Sequence, residues 1–330
     1  MSRVSPTVSG LLDVAVAGGI AMGEVDVLGE GQLLPPVDLQ CIKAAGVTFA
    51  ASIVERVIDE RARGDHRKAA TIRSTIEAAI GGGLRAVKPG SDQAVALKAE
   101  LVSVGYWSQY LEVAIGPDAE IFTKAPVLAS MGWGDDIGVR SDSSWNNPEP
   151  EVVLVVNGRG EIVGATLGND VNLRDFESRS ALLLGKAKDN NASCAIGPLI
   201  RLFDDEFGLE DVRDATVNLT VEGEDRFILR GTSMMREISR DPAELVRQAL
   251  SEHQYPDGFA LFLGTLFAPT EDRDEAGAGF THKGGDIVTI SSPRIGTLVN
   301  RVTTSASAPP WNHGIGALMQ NLARRGLLAA

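Results

Sequence analysis

Two apolar runs, 151–156 (EVVLVV) and 161–166 (EIVGAT), flank Asn157-Gly158-Arg159-Gly160. Asn-Gly between strand-like runs is a strong short-range signal for a β-hairpin, because the tight turn needs positive φ at its centre. This hairpin constrains the chain more than any other feature, since it decides which residues meet at its open end. Glu149 and Glu151 flank Pro150 at i and i+2, so both side chains leave the strand on one face. Pro150 has no N–H to donate and fits a strand start or edge. The return strand runs into Gly168-Asn169-Asp170-Val171-Asn172, which brings Asp170 back towards Glu149 and Glu151. Converging carboxylates repel one another unless a cation lies between them. An all-oxygen set suits a hard ion, Mg²⁺, Mn²⁺ or Ca²⁺. His66, His253, His282 and His313 are distant in sequence, which disfavours zinc. Two plainer readings stand beside this one: an E-x-E at a solvent-facing strand end, and Asp170 as a turn or helix-capping residue.

Further strands are expected at 39–49, 217–221, 227–230, 258–263 and 287–290, and helices near 199–207, 242–252 and 315–325. Residues 1–34 read as short strands, and Pro35-Pro36 suggests a boundary. The stretch from 52 to 80 has helical spacing and a charged run, and Gly81-Gly82-Gly83 stops it; it is either a solvated helical hairpin or a mobile cover. Many strands with few helices predict an α+β, mostly β chain, rolled and largely antiparallel. In 330 residues, 44 acidic against 31 basic side chains give a net charge of −13, so no nucleic-acid partner is expected. Two cysteines, Cys41 and Cys194, make neither a disulfide framework nor a cysteine zinc site. Asp13 interrupts the N-terminal apolar run and no stretch approaches about 18 apolar residues, so a cytoplasmic protein with no membrane partner is expected.

Two other segments offer chemistry. Gly185-Lys186-Ala187-Lys188-Asp189 carries lysines able to position an anion or move a proton, or simply to lie on the surface. Phe262-Leu263-Gly264-Thr265 ends an apolar strand with N–H and hydroxyl donors for a carboxylate, or with a simple turn.

Pro148-Glu149-Pro150-Glu151, the run Gly168-Asn169-Asp170-Val171-Asn172-Leu173-Arg174-Asp175, and the stretch from Gly284-Gly285-Asp286 to Val299-Asn300 together resemble the fumarylacetoacetate hydrolase superfamily, over about 39–301. The resemblance implies a rolled mixed β-sheet (β-roll). It divides the chain into a small N-terminal domain, 1–38, and a catalytic domain, 39–330. It also implies a homodimer or dimer of dimers, and a divalent metal, usually Mg²⁺, on Glu149, Glu151 and Asp170.

Acylpyruvate hydrolases of this superfamily carry G-x-N-Y-x-x-H-x-x-E, whereas this chain reads Gly46-Val47-Thr48-Phe49-Ala50-Ala51-Ser52-Ile53-Val54-Glu55. Ser52 replaces the histidine of the water-activating dyad, and an unassisted hydroxyl is no general base near pH 7. The run 137–145, the segment Ala187-Lys188 and Ser193-Cys194-Ala195-Ile196-Gly197-Pro198 resemble instead the 2-keto-3-deoxy-pentonate dehydratases. That branch implies Glu120, in Glu120-Ile121-Phe122-Thr123-Lys124-Ala125, and Lys188 as the acid/base pair, with the identity of the base left open. It implies Thr265, Ser52 and Arg174 at the substrate, and a lid over 52–83 that includes Glu55. The expected activity is Mg-dependent dehydration of a small 2-keto acid, 2-keto-3-deoxy-D-xylonate or D-arabinonate, to 2,5-dioxopentanoate. The alternatives are an acylpyruvate C–C hydrolase, an oxaloacetate-type decarboxylase, or a binding protein without catalysis.

Overall fold

A computed structural model gives the fold and describes residues 33–49, 57–58, 60–62, 68, 87–103, 105, 107–267, 269, 271–275 and 279–328. Most of the expected N-terminal domain and of the lid, with Ser52 and Glu55, lies outside the described residues; positions 57–58, 60–62 and 68 are helical. The strands are β1 Cys41–Gly46, β2 Glu120–Ala125, β3 Asp136–Val139, β4 Asn146–Asn147, β5 Pro150–Val156, β6 Ile162–Asp170, β7 Asn172–Leu173, β8 Cys194–Leu202, β9 Thr216–Glu222, β10 Ile228–Met234, β11 Phe259–Phe262, β12 Ile287–Ser292 and β13 Gly296–Thr304. The helices are α1 Asp92–Ser103, α2 Gln109–Ile115, α3 Arg174–Glu177, α4 Leu184–Lys188, α5 Leu209–Arg213, α6 Pro242–Leu250 and α7 Ile315–Arg324. No helix among the described residues is long and apolar enough to cross a membrane.

One sheet has six strands in the order β2-β1-β11-β5-β6-β8, a second has five in the order β10-β9-β12-β13-β3, and β4-β7 form a short pair. Only β1–β11 and β13–β3 are parallel among the neighbours. This is the expected α+β, mostly β class, without a closed barrel.

The apolar run of β5 is covered on both faces, which is why it does not alternate with polar residues. Val152, Leu154 and Val156 join Ala165 and Leu167 of β6 in a cluster with Val217, Leu219, Val221, Val288, Ile290 and Leu298 of the second sheet. Each Val, Leu or Ile side chain among them contributes about 1.5–3 kcal/mol on burial. On the opposite, outer face Val153 packs with Ile42, Ala44, Cys194, Ile196, Ala260 and Phe262. A third cluster joins α1 and α2 to Val47 and Trp145.

The helix expected near 199–207 is instead the end of strand β8 and the turn after it. Its apolar residues mimic a helical stripe, but they pair with β6 at the sheet edge, where Pro198 is tolerated because no neighbour needs its missing N–H. Asp204 then accepts from the N–H groups of Glu206 and Phe207 and makes the turn. Helices α1 and α2 are not among those expected from the sequence; Ser108 caps α2 by accepting from the Tyr110 N–H at 3.1 Å.

A buried ion network ties the loop before β12 to the second sheet. Arg273 makes a bidentate pair with Asp286, 2.6 and 2.7 Å, and also meets Asp225. Burial would raise the Asp286 carboxyl, but Arg273 and His282 outweigh it and hold it at about 2. A depressed carboxyl stabilises the fold above its ordinary value, and that contribution disappears as pH falls through the folded one. The stability difference between the protein and Asp286→Asn is therefore expected to shrink by roughly 1.5 kcal/mol from pH 7 to pH 2.5, as read by urea denaturation. A difference that does not change with pH would contradict this assignment.

Candidate active site

The hairpin sets the geometry of the site. β5 and β6 pair with Pro150 opposite Asn169 and Glu151 opposite Gly168, and β4 and β7 pair with Asn147 opposite Asn172. One register runs through both ladders and puts Glu149 opposite Asp170, whose N–H donates to the Glu149 carbonyl at 3.0 Å. One carboxylate oxygen from each of Glu149, Glu151 and Asp170 lies within 4.8 Å of the others, and all three residues are buried. They occupy the outer face of the six-stranded sheet, beside Val153 and Cys194.

Two buried lysines face this group. Lys188, the last residue of α4, places Nζ 2.5 Å from Glu149 Oε2 and 2.9 Å from Asp170 Oδ2. Lys124 of β2 places Nζ 2.8 Å from Asp170 Oδ1 and also donates to the carbonyls of Val171 and Lys188. Lys124 was not among the residues singled out from the sequence. Glu120 and Phe122 share a face of β2, and Lys124 joins them through a register shift between the pairs Lys43–Thr123 and Ile42–Ala125 that leaves no signal in the sequence. Lys188 Nζ sits 5.9 Å from the Phe122 ring centroid, so this face looks onto the site.

Glu120 opens β2 opposite Gly46, and its carboxylate lies so close to the Gly46 Cα that any Cβ there would collide with it. The turn that delivers Glu120 is clamped from α6 and its approach. The buried Arg240 guanidinium donates to the carbonyls of Val113, Gly116 and Asp118 at 2.6, 2.8 and 3.1 Å, capping the C-terminus of α2. Gln248 accepts from the Ala119 N–H at 2.7 Å.

Gly264, at φ 89°, donates its N–H to Glu151 Oε2 at 2.6 Å. Thr265 follows it, buried, with its hydroxyl accepting from the Phe267 N–H. Arg174 is buried at the start of α3; it stacks 4.3 Å from the Trp145 ring centroid and donates to the Pro269 carbonyl. Lys186 lies apart, over the Phe176 ring.

The electrostatics explain what the arrangement can hold. Burial first, then repulsion from Asp170 and Glu149, pushes the Glu151 carboxyl well above the usual carboxylate range. Burial also acts to raise Asp170, but Lys124 and Lys188 outweigh it and hold its carboxyl below the usual value. Glu151 is therefore the carboxyl that more readily takes up a proton than Asp170 when no cation is present. Glu149, Glu151 and Asp170 would hold a divalent ion through their oxygens, and binding it would displace a proton from Glu151. The three oxygen donors fit Mg²⁺ or a similar hard ion.

In EDTA, Glu151→Gln is expected to melt at or above the wild-type temperature, because it removes a buried carboxyl that is costly to ionise there and keeps an acceptor for Gly264. Added Mg²⁺ or Mn²⁺ is expected to raise the wild-type Tm but not that of the variant, read by calorimetry. An equal metal-induced rise in both proteins would exclude Glu151 from the ion.

Residues 110–303 match the family described as fumarylacetoacetate (FAA) hydrolase, C-terminal. A Probable 2-keto-3-deoxyxylonate dehydratase from Haloferax volcanii is 35% identical over 195 residues, 59% of this chain and 64% of its own length. A solved structure of 2-keto-3-deoxy-D-arabinonate dehydratase complexed with magnesium and 2,5-dioxopentanoate is 34% identical, with a TM-score of 0.54 over 60% of this chain and 66% of that one. The match therefore spans just under two thirds of the length of each of these relatives. An apo structure of 2-keto-3-deoxy-D-arabinonate dehydratase, 24% identical, has a TM-score of 0.62 over 86% of this chain and 82% of that one and bears on the fold.

Proposed function

This chain belongs to the fumarylacetoacetate hydrolase family, and from that premise we propose that it is a magnesium-dependent dehydratase converting 2-keto-3-deoxy-D-xylonate or D-arabinonate, which are one compound, to 2,5-dioxopentanoate. The observation that carries the reading is the buried group of three carboxylates backed by Lys124 and Lys188, with Glu120 on the neighbouring strand face. The two dehydratases reported above, one of them holding magnesium and 2,5-dioxopentanoate, support the same choice of reaction.

In this reading Glu149, Glu151 and Asp170 hold Mg²⁺, which when bound supplies Lewis-acid polarisation of the substrate's C2 carbonyl. Glu120 and Lys188 divide the proton work: one takes the C3 proton, and the other delivers a proton to the C4 hydroxyl as the C4–O bond breaks and water leaves. The remaining C3=C4 enone becomes the aldehyde when C3 and C4 each gain a proton while C5 and its hydroxyl each lose one. The net change is the loss of one water. Lys124 holds Asp170 as a carboxylate throughout. Thr265, Ser52 and Arg174 are the substrate-binding candidates. Ser52 in place of a histidine is the feature that sets this chain against C–C hydrolysis. The family likeness also supports a cytoplasmic homodimer or dimer of dimers, with an N-terminal domain over 1–38 and a lid over 52–83 that carries Glu55.

Turnover of 2-keto-3-deoxy-D-xylonate is expected with Mg²⁺ and is expected to stop with EDTA, read by a coupled assay for 2,5-dioxopentanoate. No product at saturating Mg²⁺ would overturn the dehydratase and turn the search to acylpyruvates. Lys188→Ala is expected to lower kcat by about 100-fold or more while Mn²⁺ still binds. A near-normal kcat would remove Lys188 from the proton transfers.

A further inference from the structure

The row of cross-strand pairs does not stop at the carboxylates. The register that sets Glu149 opposite Asp170 sets Asn147 opposite Asn172 one pair outward, and beyond the end of the ladder the Arg174 guanidinium stacks on the Trp145 ring. Residues 147, 149 and 151 alternate along one stretch, so the Asn147–Asn172 pair shares the face on which the carboxylates converge. Leu173 belongs to the cluster between the sheets, and the Asn146 Oδ1 accepts from the His282 N–H, so the intervening residues point the other way.

Asn147 and Asn172 are both almost fully buried, with 2% and 0% exposure. Asn147 Nδ2 donates to the Pro148 carbonyl at 2.9 Å, which fixes the orientation of that amide and leaves its Oδ1 without a partner among the described residues. Neither Oδ1 nor Nδ2 of Asn172 has a partner among them. Buried amide atoms are costly to leave unpaired, and native proteins rarely do so away from a water or a ligand. Here the open valences are two acceptors and an amide donor. A carboxylate or ketone brings acceptors only, and a metal ion cannot use the donor. A hydroxyl group matches the set, since it donates one hydrogen bond and accepts others.

We infer that Asn147 and Asn172 form a hydroxyl-binding subsite, one cross-strand pair out from the carboxylates, that takes the terminal hydroxyl of a short hydroxylated 2-oxo acid. The inference rests on the proposed function for the placement of the acid's C1 and C2 at Glu149, Glu151 and Asp170. Successive same-face pairs lie about 6.6 Å apart. In a five-carbon acid the C5 hydroxyl oxygen lies about 5 Å from C2 in the extended chain, which puts it at the asparagine pair. Beyond the ladder, Trp145 and Arg174 form a bulky stacked pair. The subsite also bears on the reaction, because the C5 hydroxyl must give up its proton for the aldehyde to form, and an amide oxygen is an acceptor for it. A substrate lacking that hydroxyl would leave the buried amides unpaired, the situation in which a hydrogen-bonding pocket discriminates most strongly.

The test uses two ligands that have no C4 hydroxyl and so cannot be dehydrated: 5-hydroxy-2-oxopentanoate and 2-oxopentanoate. Their Kd values are measured by calorimetry on the full chain with Mg²⁺. The wild type is expected to prefer the hydroxylated ligand by at least about 10-fold. Asn147→Leu and Asn172→Leu, close in volume to the wild type, are expected to bring the ratio near 1 mainly by weakening the hydroxylated ligand. A ratio near 1 in the wild type, or an undiminished preference in both variants, would overturn the subsite; the wild-type ratio decides the matter even if a variant does not fold. Turnover of the sugar acid is scored separately. An intact preference without turnover would reject the dehydratase and keep the subsite, and turnover without a preference would do the reverse.

Discussion

Everything at this site depends on the register of one hairpin. Near its turn, Val156 pairs with Ile162, but from Val155 onward the pairing advances by one residue, Val155 with Gly164 and Glu151 with Gly168. The extra residue in β6, Val163, is a β-bulge. It sets Asp170 rather than Asn169 opposite Glu149. A slip of one residue turns a strand's whole side-chain set to the other face. Without the bulge, Asp170 would point towards the packed layer between the sheets and Asn169 towards the carboxylates. The bulge is what turns a hairpin with acidic ends into a cation site.

The cost of gathering three carboxylates in the interior is met locally. Lys124 and Lys188 approach from β2 and α4, two elements that meet only because the six-stranded sheet brings β2 round beside β1. Each charge taken from water costs several kcal/mol unless paired. Two ammonium groups cannot balance three carboxylates, and in the proposed function a divalent ion would offset the remainder when all three are ionised. Lys188, one of the two lysines that offset these carboxylates, is also the one given a proton transfer in the proposed function, so under that proposal stability and chemistry share a residue.

Much of this was legible in the sequence, and the reasons are local. The turn 157–160, the apolar strands and the E-P-E triplet lie within a short stretch, so turn chemistry predicts that the strand end carrying Asp170 returns beside Glu149. Helices at 242–250 and 315–324 carry their own period, and Asp241 caps the first. What escaped was set by distant pairing. Lys124 is an ordinary lysine until β2 pairs with β1. The bulge at Val163 leaves no mark in the residue pattern. Arg240, which fixes the turn before Glu120, reads as one arginine among many until its four carbonyl partners are brought around it. The 199–207 segment misled because an edge strand tolerates the proline and the apolar spacing that suggest a helix.

The central claim is that the bulged hairpin builds one divalent-ion site from Glu149, Glu151 and Asp170. Anomalous diffraction from crystals grown with Mn²⁺ tests it most directly. The account predicts one strong peak bonded to an oxygen of each of the three carboxylates, with the Lys188 ammonium displaced from between Glu149 and Asp170. A peak held by other residues, or no peak at this group at saturating Mn²⁺, would contradict it.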